Sequence, residues 1–269
     1  MRVRWVLVVL CAAAVSGCGW FKRGGGYYQD DGPPRRVRVD ISKIPNAVPK
    51  HEPFSETANN AYVVAGKRYY PIQSARGYRE RGVASWYGKK FHGRRTASGE
   101  SYDMFAMTAA HRTLPLPSYA RIENLRNGQS VVVKVNDRGP FLHNRLVDLS
   151  YAAAVKLGII DTGTGLVEVA SVFPDSVVPV RSVATGPPDG LPATSLFVQL
   201  GAFVDPGNAR AMRHRAEREG FQPVSVQPVA QGSLTYHRVR IGPMGSVTDA
   251  DQMMLRAERA GHRPRLVIE

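Results

Sequence analysis

Apolar and polar positions alternate with a period of two along much of the middle of the chain. Tyr119 to Asn124 alternates, Asn127-Gly128 follows as a hairpin turn, and Val131 to Val135 returns as an unbroken β-branched run. The unbroken run fits a strand buried on both faces. Short strands are also predicted around Gly66-Lys67 within 61–72, at Gly82–Gly88, at Tyr102–Met104 and at Leu166–Val172. Helical spacing is brief. It gives one turn at Thr108–Arg112, stopped by Leu114-Pro115-Leu116-Pro117, and a short helix at Tyr151–Leu157 between Ser150 as N-cap and Gly158 as C-cap. Phe91 to Glu100 is polar and glycine-rich, and reads as a loop. Many short strands with one or two small helices predict a small closed, mainly β barrel over 61–173.

The pattern changes after Pro174. Residues 174–194 are rich in Pro, Val, Ser and Gly and read as a linker. Beyond it, Leu196–Phe203 reads as a strand, Asp205–Glu219 as a helix and Phe221–Pro228 as extended chain. Tyr236–Met244, Val247–Ala260 and Leu266–Ile268 then repeat strand, helix, strand. This twice-repeated βαβ pattern predicts a small α+β, RNP-like domain over 195–269.

The N-terminus carries a basic start, Met1 to Arg4, and an apolar run, Trp5 to Val15. The run is too short to span a bilayer, which needs about 20 residues. Val15-Ser16-Gly17-Cys18 resembles a bacterial lipobox. That resemblance implies removal of residues 1–17 and lipidation of Cys18, anchoring the chain to a membrane. A chance cysteine after an ordinary signal peptide would look the same. Gly19 stands where an Asp often retains such lipoproteins at the inner membrane, so the expected site is the outer membrane, facing the periplasm. Cys11 and Cys18 are the two cysteines, so no disulfide is expected in the mature chain. Residues 18–60 are poor in apolar positions and read as a disordered tether.

The formal charge of +14 favours anionic partners: a lipid surface, nucleic acid or an acidic wall polymer. The charge is spread along the chain with no basic arm, which argues against nucleic acid. Candidate chemistry centres on Asn136-Asp137-Arg138-Gly139-Pro140, which breaks the buried strand and leaves an acid at its end. A polar turn with Asp137 capping its own backbone has the same pattern. His92, His111 and Asp137 are metal-ligand types but lack a short-spaced pair, so neither metal nor cofactor is expected. No motif supports a serine or cysteine nucleophile.

Ala84–Gly88, Phe91–Glu100, Thr108–Pro115, Val135–Phe141 and Asp148–Ser150 together resemble the rare lipoprotein A family. The resemblance implies a double-psi β-barrel and endolytic peptidoglycan transglycosylase activity at the septal ring. Such enzymes cleave between N-acetylmuramic acid and N-acetylglucosamine, and the muramic acid C6 hydroxyl closes a 1,6-anhydro ring. Because that nucleophile is tethered in the substrate, one acid that later acts as base can suffice, where ordinary glycosidases need two carboxyls. By the resemblance, Asp137 is the catalytic acid, and burial must raise its pKa. His111 orients Asp137 or binds a sugar hydroxyl, and Glu100 stabilises the oxocarbenium charge or moves a proton. Tyr87 and Tyr102 stack on sugars, as Trp86 does unless it is core. Arg138 is expected to point away from Asp137 or toward substrate. Phe197–Phe203 and Arg238–Met244 resemble the SPOR domain, which implies binding of glycan strands lacking stem peptides through Gln199, Phe203, Arg238 and Arg240. Met244 stands where that family usually has Phe. A non-catalytic, expansin-like wall-binding lipoprotein and a structural septal protein are the competing readings, and the sequence names no protein partner.

Overall fold

A computed structural model describes residues 31–34, 36–37, 39–142, 144–175 and 195–269. The lipobox, Cys18 and most of the linker over 174–194 lie outside the described residues. The chain opens with a hairpin, β1 (Tyr62–Val64) and β2 (Lys67–Tyr69), which pairs only with itself. Six strands then close a barrel: β3 (Arg79–Tyr87), β4 (Thr108–His111), β5 (Ser118–Asn124), β6 (Ser130–Asp137), β7 (Arg145–Ser150) and β8 (Gly165–Val172). Around the barrel the order is β3-β7-β4-β6-β5-β8. The pairs β3/β7 and β4/β6 are parallel, and the other four are antiparallel. Ala84, Ala109, Val133, Val135, Val147, Leu149, Val167 and Val169 fill the core, closed by helix α1 (Tyr151–Lys156). Ser150 caps α1 as expected, accepting from the Ala153 N–H.

Two expectations fail in the barrel. Thr108–His111 is a strand, not a helical turn, and all four of its residues are buried. A strand buried on both faces carries no alternation, so Thr108-Ala109-Ala110-His111 does not distinguish itself from a helical turn. Tyr102–Met104 is not a strand; the Tyr102 backbone instead turns back to Gly93 and Arg94.

Residues 39–60 are also not a free tether. Ile41, Ile44, Ala47 and Ala58 pack against the barrel core. The Ala47 N–H donates to the Val132 carbonyl at 3.0 Å, and Asn59 brackets Leu116, its side chain both donating to and accepting from that backbone at 2.8 Å. Glu52 pairs with Lys134 at 2.6 Å. Pro45, Pro49 and Pro53 keep this belt extended. It is held by scattered polar anchors, so no hydrophobic period marks it.

The C-terminal unit is one four-stranded antiparallel sheet in the order β10 (Val224–Gln231), β11 (Leu234–Met244), β9 (Leu196–Phe203), β12 (Arg265–Ile268). Helices α2 (Pro206–Arg218) and α3 (Val247–Arg259) cover one face. Leu196, Val198, Val239, Ile241, Ala209, Ala216, Ala250, Met254 and Ala257 form that core. The two units touch: the Asn144 side-chain amide donates to Asp251 of α3 at 3.1 Å.

Candidate active site

The barrel's connectivity builds the site. In the register of the sheet, Ala110 of β4 lies opposite Asp137 of β6 on one side and opposite Asp148 of β7 on the other. Asp148 in turn lies opposite Ser85 of β3. Ser85, Asp148, Ala110 and Asp137 thus form one row across four adjacent strands, and all four line a cavity of about 680 Å³. Two strand spacings separate the aspartates, about 10 Å between backbones. Ala110, small and itself buried, leaves the space between them open.

Each aspartate is held by its own partners. Asp137 Oδ1 accepts from the backbone N–H groups of Ala97 and Arg138, both at 2.8 Å, and Oδ2 receives no hydrogen bond among the described residues. Burial raises the Asp137 pKa, outweighing those two N–H bonds and the Arg138 charge, which lower it. Asp148 accepts from the Ser85 hydroxyl, which accepts from the Arg145 guanidinium at 3.0 Å. Its pKa is also raised, first by burial and further by the neighbouring Asp137 charge, against Ser85, Arg145 and Arg112. Asp148 sits in the Asp148-Leu149-Ser150 motif but is not among the residues expected to act. Its signal was the register, which the sequence alone does not show.

The Arg138 guanidinium turns away from Asp137. It donates to the carbonyls of Ala58 at 2.9 Å, His111 at 3.1 Å and Leu114 at 2.6 Å, and to Asn59 Oδ1 at 3.0 Å. Arg138 therefore clamps the belt and the loop after β4 to the turn that carries Asp137. Its donors are all taken within the protein, so it offers the cavity it lines no free N–H. Gly139, at φ 137°, makes that turn in a conformation closed to side-chain-bearing residues.

His111 does not face the cavity. It is buried, and its Nδ1 accepts from the N–H groups of Thr113 at 3.2 Å and Leu114 at 2.9 Å. Two donors on Nδ1 require the proton on Nε2, which meets the Tyr78 hydroxyl at 3.0 Å; that hydroxyl donates to Glu80 at 2.7 Å. Burial, with the Arg112 and Arg138 charges, lowers the His111 pKa to about 3. His111 is thus a neutral residue shaping the loop whose carbonyls hold Arg138.

Glu100 lies outside the cavity lining, behind β6. Its carboxylate takes Lys134 and the Asn136 amide, each at 2.7 Å. These contacts fix the loop from Thr96 to Glu100, whose Ala97 N–H reaches Asp137. Glu100 touches Asp137 only through that loop.

Tyr87, Trp86 and Phe91 line the cavity. Tyr102 does not: it is buried, stacks on Tyr87 at 4.1 Å and donates its hydroxyl to the Tyr87 carbonyl at 2.6 Å. Asp31 also lines the cavity, its carboxylate accepting from the Gly88 and Lys90 N–H groups at 2.7 and 3.0 Å. Among the described residues no cluster of three His, Cys, Asp or Glu side chains could hold a metal.

On the C-terminal sheet, Gln199 and Arg240 lie opposite each other on the face away from the helices, with Arg238 on the same face. Arg240 is only 1% exposed. It donates to Gln227 and to Glu269, the latter at 2.8 Å, and lies 5.4 Å over the Phe197 ring. It stiffens the sheet from within. A register shift between Val239 and Arg240 reverses the facing of β9 beyond Leu200, so Phe203 packs on the helix side with Met244.

A six-strand barrel with two half-buried acids in its cleft, joined to a helix-backed sheet, defines a double-psi lytic transglycosylase carrying a SPOR domain. The family described as "Lytic transglycolase" matches residues 79–169, and the "SPOR domain" family matches residues 192–267. The chain belongs to the rare lipoprotein A family. It is 40% identical to "Endolytic peptidoglycan transglycosylase RlpA" of Pseudomonas aeruginosa strain UCBPP-PA14, across 89% of this chain and 83% of that one. The Vibrio cholerae protein of the same name is 36% identical, across 96% and 94%. The crystal structure of the RlpA SPOR domain from Pseudomonas aeruginosa is 30% identical, covering 27% of this chain and 96% of that one, with a TM-score of 0.26.

Proposed function

We propose that this chain cleaves peptidoglycan glycan strands endolytically, with Asp137 as the acid that becomes the base. The observation that carries this is the row from Ser85 to Asp137, which sets two half-buried carboxyls on either side of Ala110 in one cavity. Oδ1 of Asp137 is tied to backbone, so Oδ2 holds the proton toward the cavity. It protonates the glycosidic oxygen as the bond from that oxygen to the muramic acid C1 breaks. The C6 hydroxyl oxygen then bonds C1, and its proton passes to the Asp137 carboxylate, restoring the acid. No water enters the products, which carry 1,6-anhydro ends. Burial favours the protonated form of each acid, and the Asp137 charge adds to the effect at Asp148. Asp148, supported by Ser85 and the Arg145 charge, serves as the anion that stabilises positive charge at C1.

The sheet face bearing Gln199 and Arg238 supports binding of strands stripped of stem peptides. The lipobox supports anchoring at Cys18, Gly19 supports the outer membrane, and the family resemblance supports work at the division septum. Linking a cleaving and a binding unit raises their effective concentration on one polymer. The test is mass spectrometry of peptide-stripped peptidoglycan digested with residues 31–269 and with its Asp137→Asn variant. Anhydro-ended fragments from the parent alone are expected. Retention on the glycan without products would leave a wall-binding protein.

A further inference from the structure

The hairpin of β1 and β2 joins no barrel strand. A lone two-stranded hairpin is marginal in water, so contacts outside it must hold it. The cross-strand pair Tyr62 and Tyr69 stacks at 5.3 Å and 18°. Both rings then pack against Phe141, at 6.2 Å edge-on and at 5.5 Å tilted. The Tyr62 hydroxyl donates to the Arg112 carbonyl at 2.8 Å, and the Arg138 guanidinium lies 5.8 Å over the Tyr62 ring. The hairpin is therefore fastened to the same turn that carries Asp137.

Phe141 itself lines the cavity and remains 39% exposed. It is an apolar ring packed against two tyrosines, still partly exposed, in the lining of the cavity that also holds Asp137. Elsewhere along the cavity wall, Tyr87 and Phe91 form an edge-to-face pair at 6.1 Å. The cleft thus has a second aromatic element, away from that pair.

We propose that Phe141, backed by Tyr62 and Tyr69, is a stacking platform for a sugar ring of the glycan strand, next to the cleaved bond. The inference rests on the glycan-cleaving reading and adds a binding subsite to it. A pyranose ring presents a face of C–H groups that an exposed, pre-positioned aromatic ring binds with little loss of conformational freedom. The platform also accounts for the hairpin, which adds no strand to the barrel.

The test uses residues 31–269 on peptide-stripped glycan strands, with KM, kcat and product lengths read together. Absence of anhydro products from the parent would refute the cleaving reading before this one is reached. With an active parent, Phe141→Ala and Phe141→Leu should each raise KM about tenfold, the effect expected for losing one stacked ring. They should change kcat less than threefold and alter the fragment-length distribution, and Phe141→Tyr should restore the parent values. Tyr69→Leu, which loosens the support without touching the cavity lining, should raise KM in the same direction. Parent-like KM and product lengths in Phe141→Leu would overturn the proposal. So would a loss confined to kcat, or a Tyr variant as impaired as Leu.

Discussion

Replacing Arg138 with Met keeps the length of the side chain and removes its donors. The carbonyls of Ala58, His111 and Leu114, and the amide oxygen of Asn59, then lose a charged partner. A buried acceptor left unpaired costs about 1–3 kcal/mol. Asn59 Oδ1 keeps the Leu116 N–H as a donor, and Ala58 is half-buried and open to water, so the cost is smaller at those two of the four sites. A total of about 3–5 kcal/mol remains, which for a domain of this size lowers the melting temperature by roughly 10–20 °C. The assay is intrinsic fluorescence. Of the chain's three tryptophans, Trp5 and Trp20 precede residue 31, so in residues 31–269 the signal comes from Trp86 in the barrel. Arg138→Lys keeps the charge but only one nitrogen, so it should recover less than half of the loss. Because the Arg138 charge lowers the Asp137 pKa, and Asp137 must start protonated, the Met variant should also shift the alkaline limb of the activity profile to higher pH. A melting point within about 3 °C of the parent would refute the clamp.

Three further outcomes follow from the same geometry. Burial raises both aspartate pKa values above their unfolded value of 3.8, so each stabilises the fold most below that pH and loses the contribution as pH rises through the folded pKa. Asp137→Asn and Asp148→Asn should therefore melt higher than the parent at pH 7–8, with the gap closing toward pH 4; variants melting lower at pH 8 would contradict this. His111 runs the other way: its pKa falls from 6.5 to about 3, so its stabilisation is full above pH 6.5 and is lost as pH falls toward 3. His111→Asn keeps an acceptor for the two N–H groups, and the parent should lose about 2 kcal/mol relative to it between pH 6.5 and 5, read by urea unfolding; parallel pH curves would exclude a buried neutral imidazole. Glu100→Gln should lower kcat less than tenfold with an unchanged pH profile, whereas loss of one limb of that profile would make Glu100 a proton carrier.

Much of this architecture is legible in the chain, for identifiable reasons. The hairpin from Tyr119 to Val135 shows because one strand alternates and the turn is Asn-Gly. The acid at the end of β6 shows because Gly and Pro break the strand there. Strand β4 is hidden because burial on both faces removes the period, and the belt over 39–60 is hidden because polar anchors leave none. Asp148 is missed because its role depends on β7 lying beside β4, which is a matter of closure and not of local pattern. His111, Glu100, Arg138 and Tyr102 are read from motif position as site residues. Their side chains turn to backbone carbonyls, a neighbouring lysine or a tyrosine ring, and they work through what they hold in place. Phe203 changes face because of one bulge at Leu200, a single-residue event that alternation carries straight across.

If Asp137 transfers a proton while the substrate's own hydroxyl, and not water, attacks, no solvent oxygen enters the products. Digestion of peptide-stripped glycan strands in water enriched in ¹⁸O tests this directly. Anhydro-ended fragments without ¹⁸O are expected from residues 31–269 and none from Asp137→Asn. Reducing ends carrying ¹⁸O would show hydrolysis and overturn the tethered-hydroxyl attack.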